Sequence, residues 1–311
     1  MPIPPVALTR DPSPTINERP TAAAVSLLSQ VPATVIEEAK RLAAWTAVDK
    51  HVLKDHKIIG IGSGSTVPYV VERIVAQGAE VNKDRVFIPT GFQSKELIVS
   101  SGLNLGDVDQ YPTIDVTIDG ADEVDKDLNC IKGGGACHLR EKVLAEAADT
   151  WVIVADYRKN SEVLGTTWKQ GIPVEVVPFA YAKVLWNLHQ IGSPQAALRM
   201  AKAKAGPIVT DNGNFVIDAP FPEERMRDPF ALLAQIKMLT GVVEVGLFCH
   251  MAKAAYFGNK DGSLTIRWHD GHEESVSPSP SRPPSRAPSP GPGYEAKLDL
   301  SKLTMTPASS N

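Results

Sequence analysis

The run Ile131-Lys132-Gly133-Gly134-Gly135-Ala136-Cys137-His138-Leu139-Arg140-Glu141 constrains this chain more than any other stretch. Three consecutive glycines lose more backbone freedom on folding than other residues do, so they persist where something must approach the main chain. A lysine precedes them. A helix follows, with Leu139, Val143, Leu144 and Ala147 on one apolar face and Glu141 on another, in its first turn. Glycine amides, a cation and a carboxylate would thus converge on one small polar ligand. A carboxylate so placed also complements the helix dipole, so the run alone leaves both readings open.

Around this run, strand and helix alternate. Apolar stretches at 57–61, 85–88, 115–118, 128–131 and 151–155 read as short buried strands, and 67–74, 94–101 and 141–148 have helical character. A further helix precedes them, with Thr34 and Glu37 as a capping box and Val35, Ala39 and Leu42 at helical spacing. The alternation predicts an α/β fold built on a Rossmann-like parallel sheet. Such sheets bind ligands beyond the C-terminal ends of their strands. Four polar motifs fall at those ends, at 62–66, 119–122, 132–135 and 156–159. Their coincidence is stronger than any one of them.

Beyond Gly165 the texture changes. A strand at 174–177, a helix at 180–190, a hairpin at 208–217 turning on Asn212-Gly213 and a helix at 229–239 predict a smaller inserted α+β lobe. Stretches at 241–248 and 263–268 are expected to return to the main sheet. The expected organisation is a disordered arm over 1–30, a Rossmann-like catalytic domain over 31–165 plus 241–270, the small lobe over 166–240, and a disordered Ser/Pro-rich tail over 271–311. Between 275 and 293, 15 of 19 residues are Ser, Pro or Gly, too little apolar surface to offset the entropy of ordering. Ser277, Ser279 and Ser289 each precede proline there, as phosphorylation sites do and as unmodified spacers do. Leu298, Leu300 and Leu303 have the spacing of a short helical turn.

The motifs carry different weights. Gly62-Ser63-Gly64-Ser65-Thr66, between strand and helix, suits a phosphate: close backbone approach, hydroxyl donors and a helix N-terminus. It lacks the Gly-Lys-Ser/Thr of a nucleotide-binding P-loop and the full dinucleotide fingerprint. Alone it is equally a plain strand–helix turn. Asp119, Asp122, Glu123, Asp125 and Asp127 invite a metal, and 125–129 begins like a calcium loop. Cys130 then stands where that loop needs glycine, and Ala136 where it needs a bidentate glutamate. Cys130, Cys137 and His138 lack the paired spacing of a zinc site. No metal is expected, and Asp125 and Asp127 read as solvated surface charges. Arg158 and Lys159 close a strand with two cations, which suits an anionic substrate.

A net charge of −4 gives no electrostatic case for nucleic acid or for an anionic membrane. No apolar run reaches the roughly 18 residues that a bilayer span requires, and the first 20 residues lack the apolar core of a secretory signal. Three cysteines are too few, and odd in number, for a disulfide framework. A reduced, cytoplasmic enzyme is expected.

Together these residues resemble the A-type ribose-5-phosphate isomerase family over roughly 33–268. The markers are the motifs at 60–66, 119–125, 131–135, 140–142 and 209–214, with 171–176 and 243–248 similar to eukaryotic members. The resemblance implies cofactor-free interconversion of D-ribose 5-phosphate and D-ribulose 5-phosphate through an enediolate, in the non-oxidative pentose phosphate pathway, by a homodimer or homotetramer. Carried over by position, it implies Glu141 as the base moving a proton between C2 and C1, with Asp119 and Lys132 also catalytic. It implies that Ser63, Gly64, Ser65, Thr66, Asp119, Gly120, Ala121, Asp122, Lys132, Gly133, Gly134 and Gly135 line the substrate, with Lys159 at the phosphate. Lys40 matches a lysine near the family's site. Cys137-His138-Leu139 departs from the small-apolar and hydroxyl stretch usual there, and Cys137 and His138 read as packing residues or as supports just behind the substrate-lining groups.

The chemistry sets its own demands. An enediolate needs a poised base and preorganised donors for the oxyanion. Lys132 and the glycine amides are the expected donors, and Asp119 is expected to assist proton movement between oxygens or ring opening. A helix N-terminus would depress the pKa of Glu141 and burial would raise it, and a working base needs burial to win. Two rivals use related sheets. A sugar-phosphate sensor would need a helix-turn-helix ahead of it, where 1–50 offers a single helix. A coenzyme A transferase would use Glu141 as a nucleophile.

Overall fold

The computed structural model describes residues 33–277. The arm expected over 1–30 lies outside them, as does the expected tail beyond 277 with Ser279, Ser289, Leu298, Leu300 and Leu303. The chain runs α1 (Ala33–His51), β1 (Ile58–Ile61), α2 (Val67–Ala76), α3 (Ala79–Asn82), β2 (Val86–Pro89), α4 (Phe92–Ser100) and β3 (Ile114–Asp119). Then come β4 (Glu123–Val124), β5 (Cys130–Ile131), α5 (His138–Ala147), β6 (Ala148–Asp156), β7 (Ile172–Val176), α6 (Tyr181–Gln190), β8 (Ala197–Leu198) and β9 (Phe215–Ala219). It closes with α7 (Glu223–Met226), α8 (Pro229–Lys237), β10 (Val242–Val245), β11 (Leu247–Phe248), β12 (Ala254–Gly258), β13 (Leu264–Trp268) and β14 (Glu273–Val276). None of the described helices is long and apolar enough to cross a membrane.

The central sheet has the order β14-β13-β12-β6-β3-β1-β2. Its five strands from β12 to β2 are parallel, while β13 and β14 add an antiparallel edge. The chain steps outward from β1 to β2, then crosses back to β3 on the other side of β1. The loops leaving β1 and β3 part at that reversal and open a crevice. Beneath it, Ile59, Ile61, Val116, Ile118, Val152 and Val154 pack with Ala43, Ala44 and Ala47 of α1 and Val70, Val71 and Ile74 of α2. The alanines let α1 lie close on the sheet.

Two antiparallel sheets complete the fold. One has the order β10-β7-β9-β8, the other β11-β5-β4. The first encloses its own core of Val174, Val176, Val184, Leu188, Ile217, Leu232 and Ile236. Here several expectations are corrected. The stretch 128–131 was expected in the parallel sheet. It yields only the two-residue β5, held between β4 and β11. The stretch 241–248 does not return to the main sheet, because β10 pairs with β7 and β11 pairs with β5. The return is made by β12, whose Ala-Ala-Tyr-Phe-Gly carries no β-branched residue to announce a strand. The turn within 208–217 exists, with Gly213 at φ 78°, but the partners of β9 are β7 and Ala197–Leu198, not the segment before the turn. The expected disordered tail starts too early, since Glu273–Val276 pairs with β13 across a turn at Gly271. Thr34 lies inside α1, and Glu37 accepts from Lys40 Nζ at 2.7 Å and the Tyr69 hydroxyl at 2.6 Å instead of closing a capping box.

The fit of α1 on β12 is tight enough to test. A Cβ added to Gly258 would stand 1.9 Å from the Ala39 carbonyl oxygen, with backbone on which nothing can rotate away. Gly258→Ala should destabilise the fold by about 2–3 kcal/mol, read as a lowered urea midpoint with an unchanged slope.

Candidate active site

Asp119 ends β3 at the crevice, and its carboxylate is fully buried. Oδ1 accepts from the Ser63 amide at 3.0 Å and the Gly120 amide at 2.7 Å. Oδ2 lies 2.9 Å from Lys132 Nζ. A Cβ on Gly62 would stand 2.1 Å from that Oδ1, so only glycine lets the carboxylate rest against the β1 loop. Lys132 follows β5 and is 2% exposed. Its amide donates to the Gly246 carbonyl at 2.9 Å, and Nζ donates to the Gly120 carbonyl at 2.5 Å. The same Nζ lies 3.4 Å from Oε2 of Glu141.

Glu141 sits in the first turn of α5, buried, with Oε1 accepting from the Ser63 hydroxyl. Burial pushes its carboxyl up, Lys132 opposes this, and the nearby Asp119 charge adds to it. The outcome is a pKa raised to about 7. Burial thus overcomes both the ammonium and the Ser63 hydrogen bond. For Lys132, burial favours the neutral amine, but Asp119 and Glu141 outweigh it and hold the ammonium above its ordinary value.

These groups meet a cavity of about 370 Å³. Every residue assigned above to the substrate lines it except Asp119, which reaches it only through Ser63, Gly120 and Lys132. Glu141 lines it too. Phe92, Gln93 and Ala155 also line it and were not anticipated, Asp156 and Asp211 come from motifs noted in the sequence without a role of their own, and Cys137 joins them. Gln93, in the first turn of α4 a few residues beyond the end of β2, accepts from the Gly64 amide at 2.8 Å, so the strand-end rule that found the other motifs reaches it as well. The 209–214 motif was noticed but given no task.

The glycine run answers partly to packing. Gly133 has φ 104°, and a Cβ there would meet His138 Nδ1 at 2.6 Å. One on Gly134 would meet Asp122 Oδ1 at 2.6 Å and Trp168 at 2.8 Å. The Gly134 amide donates to Asp122 at 2.7 Å, so it is not bare as expected. Only beside Gly135 is there open space. Asp122 itself is pushed up by burial, against the pull of that amide.

The remaining charges sort themselves. Asp125 is not a solvated surface charge: it is buried and accepts from Asp127 N, Asn129 N and Asn129 Nδ2, shaping the turn into β5. Asp127 is exposed. Arg158 pairs with Asp156 at 2.6 Å, and of these two neighbouring cations it is Lys159 that lines the cavity. Glu123 accepts from the amides of Gly165, Thr166, Thr167 and Trp168, pinning the loop whose Trp168 ring lies 5.6 Å from Lys159 Nζ. Lys40 does not line the cavity and pairs with Glu37. His138 is fully buried, and burial pushes its pKa down to about 3. Among the described residues no group of three or more His, Cys, Asp or Glu is arranged to hold a metal ion.

The model of one family, ribose 5-phosphate isomerase A (phosphoriboisomerase A), matches residues 86–262. A ribose-5-phosphate isomerase of Cryptococcus neoformans is 72% identical over 264 residues, 81% of this chain and 87% of that protein. The chain belongs to the ribose 5-phosphate isomerase A family. A ribose-5-phosphate isomerase of Schizosaccharomyces pombe is 57% identical over 246 residues, covering 79% of this chain and 88% of the relative. A D-ribose-5-phosphate isomerase solved in complex with phospho-erythronic acid superposes with a TM-score of 0.69 at 35% identity, over 75% of this chain and 99% of that one. For a member of this family, the state of Glu141 is open to direct measurement. The Ser63 hydroxyl favours its ionised form, so Ser63→Ala should move the titration of the Glu141 carboxyl carbon, followed by ¹³C NMR, to still higher pH.

Proposed function

We propose that Glu141 is the base with which this chain interconverts ribose 5-phosphate and ribulose 5-phosphate. The interconversion follows from family membership. What supports Glu141 is one observation: a cavity-lining carboxyl with a pKa raised to about 7, 3.4 Å from a buried ammonium. A base poised near neutrality can take a proton from C2 of the open-chain aldose and return it to C1. Lys132, held in its charged form, would meet the oxygen on which negative charge develops.

Asp119 has a different place in this reading from the one first expected of it. Its carboxylate has no face on the cavity, so it acts as a positioning residue that fixes Lys132 and Ser63. Ser63, Gly64, Ser65 and Thr66, ahead of α2, together with Lys159, suit the phosphate. Gly120, Ala121, Asp122 and the 133–135 glycines suit the sugar hydroxyls. Phosphate contacts far from the reacting carbons supply energy that positions them.

The same reading places the chain in the cytoplasm as a homodimer or homotetramer serving the non-oxidative pentose phosphate pathway. Three unpaired cysteines suit a reduced compartment. Phe179, fully exposed, and Trp186, 55% exposed, on or beside α6 suit burial against a second copy. Light scattering on the purified chain measures the assembly.

The central test is turnover of ribose 5-phosphate in EDTA beside a Glu141→Gln variant. The variant should lose about 10²–10⁴-fold in kcat while remaining folded. Wild-type kcat/KM should fall on the acid side with an inflection near pH 7, because only the ionised carboxylate accepts a proton. A folded variant with wild-type turnover would remove Glu141 from this role.

A further inference from the structure

The turn at 210–214 belongs to the antiparallel sheet of β7 and β9, yet it touches both walls of the cavity. It is locked from below by Glu175 of β7, which is fully buried. Glu175 Oε1 accepts from Thr210 Oγ1 at 2.9 Å, Asn212 Nδ2 at 3.0 Å and Asn214 Nδ2 at 2.9 Å. Thr210 N also donates to the Asn214 carbonyl at 2.8 Å, so the turn is closed by main chain and side chains alike.

From this base the turn reaches in two directions. Arg140, the residue before Glu141, donates through Nε to Asn212 Oδ1 at 2.8 Å and through Nη2 to the Asp211 carbonyl at 3.3 Å. On the other side, Asp211 Oδ2 accepts from the amide of Phe92, the first residue of α4, at 3.0 Å. The helix begins on Gly91, which has no side chain with which to cap it. A Cβ on Gly91 would stand 3.1 Å from Cys137 Sγ and 3.2 Å from Asp211 Oδ2. The close contact therefore removes the ordinary cap and brings in a carboxylate from 119 residues away. One residue further into α4, Gln93 Oε1 holds the Gly64 amide at 2.8 Å.

We propose that Asp211 is a positioning residue of the isomerase site: it caps α4 from the neighbouring sheet, and through Gln93 and Gly64 it holds the 62–66 loop in its binding shape. The inference rests on the isomerase reading above. An uncapped α4 start frays, and the loop adopts its binding shape for a smaller fraction of the time. The apparent affinity falls by that fraction, whereas saturating substrate restores the loop.

The experiment compares Asp211→Ala with Asp211→Asn, which keeps an oxygen to accept from Phe92. Steady-state kinetics on ribose 5-phosphate is paired with amide hydrogen exchange across 91–95. In Asp211→Ala, KM should rise roughly 3- to 30-fold, the size of a lost cap. Its kcat should stay within about twofold, and exchange at the start of α4 should speed up. Asp211→Asn should bring KM most of the way back. Unchanged KM and exchange in Asp211→Ala would overturn the proposal. So would an Asn variant as impaired as the Ala variant, which would assign the effect to charge in the cavity. A loss of folded protein with KM unmoved would reduce Asp211 to a purely structural part. If Asp211→Ala does not fold, Gly91→Ala presses on the same contact from the other side and should raise KM with Asp211 intact. Exchange reads the cap without turnover, so failure of the cap and failure of the reaction assignment remain distinguishable.

Discussion

Lys132 Nζ stands 2.9 Å from Asp119 and 3.4 Å from Glu141, with all three side chains out of water. A lone charge in such a place would be neutralised or would pull the fold apart. One cation between two carboxylates leaves a surplus of one negative charge. The closer carboxylate, Asp119, is held by two amides as well. The farther one, Glu141, has its pKa raised first by burial and further by the Asp119 charge, against the pull of Lys132. The chemistry that Glu141 is suited to thus comes from burying it beside a cation that another carboxylate already engages.

That arrangement requires three elements of different sheets to arrive together. Asp119 comes from the parallel sheet, Lys132 from the short antiparallel one, and Glu141 from the helix between them. Neighbours in sequence do opposite jobs on that helix. Glu141 faces the cavity, whereas the buried Lys142 donates to Glu244 Oε1 at 2.8 Å and to the carbonyls of Val245 and Leu247. The helix is thereby fastened to β10 and β11 on the side away from the chemistry.

Much of this was legible in the sequence where a local rule operates. β1, β2, β3 and β6 are apolar runs ended by turn residues, and the polar motifs follow the strand ends as such sheets require. What was not legible depends on partners far along the chain. Two-residue strands such as β4, β5 and β11 have no periodicity to read. Val242–Val245 is an equally good strand for either large sheet, and only its pairing with β7 decides. Asp125 looks like any surface acid until Asn129 folds back on it. Asp119 is indistinguishable in sequence from Asp122, although one is walled off and the other faces the cavity. Gln93 lay within reach of the strand-end rule, whereas Asp211 enters the site from a separate sheet and no rule of spacing could have placed it.

The Lys132 amide is held by Gly246, and α5 by the carbonyls of Val245 and Leu247, more than a hundred residues later in the chain. During synthesis, the residues bearing the triad emerge long before the segment that fixes them. Domains form as units while the ribosome is still adding residues, and contacts that close long loops come last. A nascent chain paused after residue 141 and before residue 245 therefore carries all three groups but none of the carbonyls that hold Lys132 and α5. The carbonyls that fasten the site all belong to the last sixth of the described chain.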